Sequence, residues 1–279
     1  MKALVIGLDG LDRNMVNEYC DGILSEGHMA PNYVSRFKNT IVSWPSIYTG
    51  LQGAGFPHSW QKWIRDINNQ PHIRDKYTIW NEAERRGMKV GLFGMPVTYP
   101  PGKINGWWVA GYPAIPDNEK LIYPKTYVDL LEDYVYELDE LVNMRLIERH
   151  GKQLYDTEFP LVWQEAYKEF LDEHIRTKML TLGALYDRCP VDVLFVGWML
   201  VDHWSHKRLD MRVIYERVEK IVYALREAFQ PENIIVISDH GANHEHHTPE
   251  GVCMHFGRDP PERQIYEWHL YNEILRVIV

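Results

Sequence analysis

The sequence predicts an α/β protein built on a mostly parallel sheet with helices on both faces. Three observations lead there. Short apolar, β-branched-rich stretches, LVIGLD, VLFVGWMLVD and IIVISD, read as strands, and each runs into an aspartate, at Asp9, Asp202 and Asp239. Segments with helical spacing and capping signals separate the strands, and repeated strand–helix–strand order is the signature of a parallel sheet covered on both sides. With 279 residues, 45% of them hydrophobic, the chain can bury a substantial core, and it is read as one catalytic-sized domain over 1–279 with an inserted cap over about 96–186.

The elements follow in order. Residues 2 to 8 form the opening strand, Gly10 a turn, and a helix comes next. An apolar stretch at Ile41 and Val42 leads into S-W-P-S-I-Y-T-G, where Pro45 suits the first turn of a helix starting near Ser46 and ending at Gly50. Thr78 is placed to cap a helix through Arg86 that Gly87 stops, and KVGLFG is the next strand. From Pro96 to Pro124 the rhythm breaks into a Pro, Gly, Tyr and Trp-rich stretch, expected to be an ordered excursion over the sheet edge or the site mouth. Beyond it, Tyr127, Leu130, Leu131, Tyr134 and Leu138 share one helical face, and Pro160 starts a longer helix. VDVLFVGWML, a helix from Met211 to Phe229, the strand IIVIS, a last strand in EGVCMHFG and a helix from about Tyr266 complete the chain.

Composition removes several function classes. No apolar run reaches membrane length, and MKALVIGLDG passes straight into a strand, so neither a membrane span nor a secretory signal is expected. A net charge of -9 argues against general affinity for nucleic acid, although a nucleotide remains acceptable as a small substrate where metals invert the local potential. Cys20, Cys189 and Cys253 have no CxxC spacing and read as thiols of a reducing cytoplasm.

In an open parallel sheet, ligands bind outside the carboxyl ends of the strands. Acids placed there converge, and carboxylates clustered with imidazoles call for a divalent cation. Asp202 and His206, four apart in D-H-W-S-H, fall on one face if that segment is helical. Asp239 and His240 follow a strand, with Gly241 allowing the chain to bend, and His244, His246 and His247 come within a few positions. Ser43, between the apolar stretch and the helix start at Pro45, offers a hydroxyl where free backbone N–H groups favour negative charge, as a turn serine also would be. A dinucleotide site is not expected, because Gly7 and Gly10 lack the third glycine of G-x-G-x-x-G.

Taken together, Asp9 at the end of the first strand, S-W-P-S-I-Y-T-G, the TYPP stretch from Thr98 to Gly106, D-x-x-x-H at Asp202 to His206, S-D-H-G at Ser238 to Gly241 and H-T-P-E-G-V at His247 to Val252 resemble the alkaline phosphatase superfamily. The likeness runs along the whole chain and is to the type I phosphodiesterase/nucleotide pyrophosphatase branch with its phosphohydrolase and phosphomutase relatives. It implies an alkaline-phosphatase-like three-layer sandwich. It also implies one divalent metal on Asp9, Asp239 and His240 with Ser43 as nucleophile, and a second on Asp202, His206 and a late histidine. His247 fits that last place best, His244 and His246 remain alternatives, and His255 reads as structural. Oxygen and nitrogen ligands without cysteine favour Zn²⁺, then Mn²⁺. The implied reaction is in-line attack by Ser43 on a phosphorus atom, giving a phosphoserine that water hydrolyses.

Departures from the pattern shape the substrate expectation. Ile47 stands where a sulfatase carries arginine, and H-S-W at His58, Ser59 and Trp60 replaces the usual glycine-bearing loop. Only Arg65, Arg74 and Arg208 lie near the motifs as clamps for a dianionic phosphate, so a diester or nucleotide pyrophosphate is favoured over a monoester, phosphomutase or sulfatase-type reaction. Trp107, Trp108 and Tyr112 are candidates for stacking on a base. A metal- or partner-binding module without turnover is the reading from another class.

Overall fold

A computed structural model of the chain describes residues 1–53, 77–244 and 246–279. The strands are β1 (Ala3–Leu8), β2 (His28–Met29), β3 (Val90–Phe93), β4 (Gly106–Val109), β5 (Ile122–Tyr123), β6 (Val193–Trp198), β7 (Asn233–Ile237), β8 (Gly241–Ala242), β9 (His247–Thr248) and β10 (Cys253–Phe256). Eight of them form one sheet in the order β2-β10-β7-β1-β6-β3-β4-β5, and β8 and β9 make a separate ribbon. The five central strands from β7 to β4 are parallel, whereas β10 pairs antiparallel with β7 and β5 with β4. The sheet is thus mostly parallel, with its antiparallel pairs near the edges.

Alternation along the strands divides the core between two faces. Leu4, Ile6 and Leu8 of β1, Leu194, Val196 and Trp198 of β6, and Ile234 and Val236 of β7 point to one side. Val5, Phe195, Ile235 and Ile237 point to the other. Every residue of β1 and β6 is buried, as expected of a parallel strand covered on both sides. On the first face lie α1 (Arg13–Tyr19), α5 (Leu138–His150), α6 (Pro160–Arg188), α7 (Leu200–His206) and α8 (Met211–Phe229); on the second lie α2 (Thr40–Thr49), α3 (Ile79–Arg85) and α9 (Leu270–Ile278). The short α4 (Asn118–Leu121) sits between β4 and β5. In α8 the buried positions Met211, Ile214, Tyr215, Val218, Val222, Leu225 and Phe229 follow the helical period, and Asp210 caps the first turn by accepting from Arg212 N at 3.0 Å. Among the described residues, no helix is long and apolar enough to cross a membrane.

Most expected elements appear where the sequence puts them, but four expectations need correction. Ile41 and Val42 are not strand residues; they belong to α2, which begins at Thr40 and holds Pro45 in its interior. Two β-branched residues suggest a strand by propensity, but packing against the sheet and an Asn39 cap override it. The stretch 96–124, expected as an excursion over the sheet edge or the site mouth, itself builds the far edge of the sheet through β4 and β5, while its Tyr112 lines a cavity with Asp202 and His206. The helical face from Tyr127 to Leu138 is not one helix: a 3₁₀ segment, Lys125–Leu131, and a turn precede α5, although Leu131, Tyr134 and Leu138 are all buried. Finally, β6 stops at Trp198, so Asp202 stands on the following helix and not at the strand end itself.

Candidate active site

Asp9 follows β1 directly and Asp239 follows β7 by two residues, so neighbouring parallel strands deliver both carboxylates to one sheet end. Gly10 makes this possible. It adopts φ 77°, and a Cβ there would lie 3.0 Å from the backbone of Asp202. Its N–H donates to Asp239 Oδ1 at 3.4 Å, its carbonyl accepts from Ala242 N at 2.8 Å, and Asp202 N donates to the Asp9 carbonyl at 3.2 Å. One turn thereby ties all three acidic segments together. Gly241 serves through close packing, since a Cβ would collide with Thr248 Oγ1.

Two clusters result. In the first, ligand atoms of Asp9, Asp239 and His240 lie within 4.8 Å of one another, all fully buried. In the second, α7 places Asp202 and His206 one turn apart, and each oxygen of Asp202 faces an imidazole: Oδ2 is 3.4 Å from His206 Nε2 and Oδ1 is 3.1 Å from His247 Nε2. His206 and His247 approach at 3.2 Å between their Nε2 atoms. The rings of His240 and His247 stack at 4.1 Å, so the clusters share a wall.

The chemistry of these donor sets fits a cation in each cluster. His240 Nδ1 contacts the Gly241 carbonyl at 3.0 Å and His247 Nδ1 the Lys38 carbonyl at 2.9 Å, which assigns the proton to Nδ1 and leaves the Nε2 lone pair for a ligand. His240 Nε2 then faces Asp239 Oδ2 at 3.3 Å, and neither atom has a hydrogen bond. Two lone pairs opposed in a buried space are unfavourable unless a proton or a metal lies between them. Burial, reinforced by the charges of Asp239 and Asp202, pushes the Asp9 carboxyl well above the usual range, and burial with Asp202 does the same to Asp239. Burial opposes the charged form of His240 as well. The hydrogen bond to Asp202 pushes His247 up to about 9, and at Asp202 burial is outweighed by His206 and His247, which hold the carboxyl far below its ordinary value.

The start of α2 supplies the hydroxyl. Asn39 is the N-cap: its side chain accepts from Ile41 N at 3.1 Å and its carbonyl from Val42 N and Ser43 N. Thr40, the first helical residue, has Oγ1 3.4 Å from Asp9 Oδ1 and lines a cavity with Asp202, His206 and His247. Ser43 is not brought there. It lies one turn further on, fully buried, and its Oγ has no hydrogen-bond partner. Because the helix begins at Thr40 and not near Ser46, the hydroxyl at its mouth is three residues earlier than the sequence reading placed it. Two signals for Thr40 were present: an Asn able to cap, and Gly50 closing the helix with φ 70°.

The sequence reading also missed Trp44, whose Nε1 donates to Asp9 Oδ2 at 2.7 Å. This bond fixes one oxygen and leaves the other toward Thr40 and His240 Nε2, the latter at 3.7 Å. Trp44→Phe is expected to weaken metal binding at the first cluster by about tenfold, as measured by competitive zinc titration, since second-layer partners typically contribute that much.

Other candidates separate by position. His244 and His246 line a small neighbouring cavity with Arg208, whose far wall is His206 and His247. His255 is in β10, buried, and pairs with Glu273 at 3.5 Å, a structural role as expected. Trp107 and Trp108 are buried in the sheet and are not surfaces for a base, whereas Tyr112 lines the cavity beside Asp202, His206 and His247. Arg65, Arg74 and the His58, Ser59 and Trp60 segment lie outside the described residues. Cys20, Cys189 and Cys253 are free thiols.

Comparison with known proteins adds the following. The family model described as type I phosphodiesterase / nucleotide pyrophosphatase matches residues 3–256. No curated protein matches the chain. Among solved structures, the murine ectonucleotide pyrophosphatase / phosphodiesterase 5 is similar at 14% identity and TM-score 0.48, over 86% of this chain and 57% of its own. An alkaline phosphatase from the Antarctic bacterium TAB5 is similar at 11% identity and TM-score 0.47, over 99% and 98%. The soluble domain of lipooligosaccharide phosphoethanolamine transferase A from Neisseria meningitidis is similar at 11% identity and TM-score 0.46, over 100% and 88%. The chain thus spans little more than half the length of the murine protein.

Proposed function

The chain belongs to the type I phosphodiesterase / nucleotide pyrophosphatase family, and from that premise we propose that it hydrolyses phosphodiester or nucleotide pyrophosphate bonds with two divalent metals and Thr40 as nucleophile. The observation that carries this reading is Thr40 Oγ1, 3.4 Å from Asp9, at the mouth of α2 in a cavity of about 220 Å³ that Asp202, His206 and His247 also line. Asp9, Asp239 and His240 would hold one metal; Asp202, His206 and His247 would hold the other. When bound, two such ions lower the proton affinity of a hydroxyl and neutralise charge on attacking and leaving oxygens. The donors are oxygen and nitrogen only, which suits Zn²⁺ first and Mn²⁺ second.

The chain's own residues account for the rest. Asp9, with one oxygen engaged by Trp44, holds the Thr40 hydroxyl with the other. At the first position of α2 the developing oxyanion lies where the helix dipole favours negative charge. Thr40 Oγ1 forms a bond to phosphorus as the bond to the leaving oxygen breaks, giving a phosphothreonine. Water then cleaves the Thr40 ester and returns the hydroxyl. Tyr112, Asn39 and His203 line the same cavity and bound the space left for the substrate's flanks.

A substrate panel tests the reading. With Zn²⁺ or Mn²⁺ added, bis-p-nitrophenyl phosphate and p-nitrophenyl thymidine monophosphate are expected to turn over faster than p-nitrophenyl phosphate, and p-nitrophenyl sulfate not at all. Turnover of the sulfate alone, or of none, would reject it. Ile47, where a sulfatase has arginine, is fully buried in the apolar cluster on the second face of the sheet.

A further inference from the structure

The residues from 32 to 38 lead into α2, and three parts of the site depend on where they run. Tyr33 donates its hydroxyl to the carbonyls of Ser238 and Asp239, at 2.8 and 3.3 Å, bracing the loop that carries Asp239. The Lys38 carbonyl takes the Nδ1 side of His247, and Asn39 and Thr40 follow directly. Lys38 itself sits at φ 48°, a conformation disfavoured for a residue with a Cβ, so this shape needs support from outside.

That support comes from the end of the chain, beyond residues 3–256 that the family model covers. Val34 N donates to the Ile265 carbonyl at 3.0 Å, and Ile265 N to the Asn32 carbonyl at 3.1 Å. Glu267, fully buried, then gathers the turn onto a single oxygen: Oε1 accepts from Ser35 Oγ at 3.0 Å, Arg36 N at 2.7 Å and Phe37 N at 2.8 Å. Ser35 Oγ accepts in turn from Lys38 N at 3.2 Å, so the acceptor chain reaches the residue whose carbonyl orients His247. Burying a carboxylate is costly unless donors surround it, and here the donors are almost wholly those of the loop that feeds the site.

We infer that Glu267 is a positioning residue for the active site: through the 35–38 turn it sets the orientation of His247 and the start of α2 at Thr40. The inference rests on the metal and nucleophile assignment proposed above. In Glu267→Ala the turn loses three acceptor contacts, and zinc affinity at the cluster containing His247 is expected to fall about 10- to 100-fold, the range for loss of a ligand's outer partner. The Asp9 cluster should lose less, and kcat should fall more than KM rises. Glu267→Gln keeps Oε1 as an acceptor and should restore most of both.

Glu273→Ala is the control. Glu273 is a buried acid of the same closing segment, but it pairs with His255 and Arg276 at 3.5 and 2.7 Å, and among the described residues it has no hydrogen bond or ion pair to the turn. It should lower Tm and leave zinc affinity unchanged. Should Glu267→Ala bind both zinc ions as the native protein does, or weaken them no more than Glu273→Ala does, the inference is overturned. If Glu267→Ala fails to fold, Ser35→Ala carries the test, since it removes one donor to Glu267 and the acceptor of Lys38 N; unchanged zinc affinity there overturns the inference equally. Zinc titration needs no substrate, so a native protein that binds two zinc ions yet cleaves no phosphate ester refutes the proposed function and leaves this result readable.

Discussion

Thr40→Ala is expected to lower turnover of bis-p-nitrophenyl phosphate by about 10³-fold or more while zinc content stays near the native value, because the proposed nucleophile goes and the six candidate ligand side chains remain. Ser43→Ala should do almost nothing. The Ser43 hydroxyl is fully buried without a hydrogen-bond partner, and deleting an unsatisfied polar group is neutral or stabilising, with a change in stability of about 1 kcal/mol at most. Steady-state kinetics with zinc analysis on the two variants separates the hydroxyls. Full activity in Thr40→Ala, or its loss in Ser43→Ala, would return the nucleophile to Ser43. A third variant, Thr40→Ser, keeps a hydroxyl at the first position of α2 and should retain measurable turnover.

The second large effect is on stability, and it couples zinc to pH. In the metal-free protein burial raises the carboxyls of Asp9 and Asp239, reinforced at Asp9 by the charges of Asp239 and Asp202 and at Asp239 by that of Asp202. An acid with a raised folded pKa binds more protons folded than unfolded, so its contribution is fully present below the unfolded value of about 3.9 and is lost as pH rises through the folded one. Asp202 acts in the opposite sense, with a lowered carboxyl that adds stability above its unfolded value and withdraws it in acid. His247, raised to about 9, adds stability below its unfolded value of about 6.5 and loses it as pH rises toward 9. The metal-free Tm should therefore decline between about pH 6.5 and 9, as His247 gives up its proton and the buried carboxylates lose the countercharge. Zinc should reverse the slope, since metal ligands must be deprotonated. At free zinc 100-fold above Kd, each site adds about 2.7 kcal/mol, and two together raise Tm by the order of 10 °C. Calorimetry at pH 6 and 8.5, with chelator and with zinc, measures this; a metal-free Tm that climbs across that window would contradict it. Asp239→Asn should raise metal-free stability and remove most of the zinc gain.

The helix register shows how far the sequence could be read. The segment from Asn39 to Gly50 contains both its cap and its stop, yet Ile41 and Val42 favour a strand and Pro45 favours a first turn. Local preferences moved the start by several residues, and with it the identity of the hydroxyl. Packing of Ile41, Val42 and Trp44 against the sheet decided the matter, because that apolar surface is buried only if the helix already runs at Thr40. Trp107 and Trp108 failed similarly: an aromatic, glycine-rich stretch looks like a surface loop until it is paired with β3.

By itself the sequence determined the class of the fold and singled out Asp9, Asp202, His206, Asp239 and His240, leaving the last place open among His244, His246 and His247. Strand burial, helical period and the spacing of Asp202 to His206 are local patterns, and parallel strands bring their carboxyl ends to one edge wherever such patterns repeat. Only the tertiary structure decided which hydroxyl faces Asp9, that Trp44 holds that carboxylate, and that His247 rather than its neighbours meets Asp202. It also decided that Glu267, 230 residues from Phe37, braces the turn before α2. These are contacts between segments far apart in the chain, set by packing and by the hydrogen-bond demands of buried groups, and no residue carries them in its immediate neighbours.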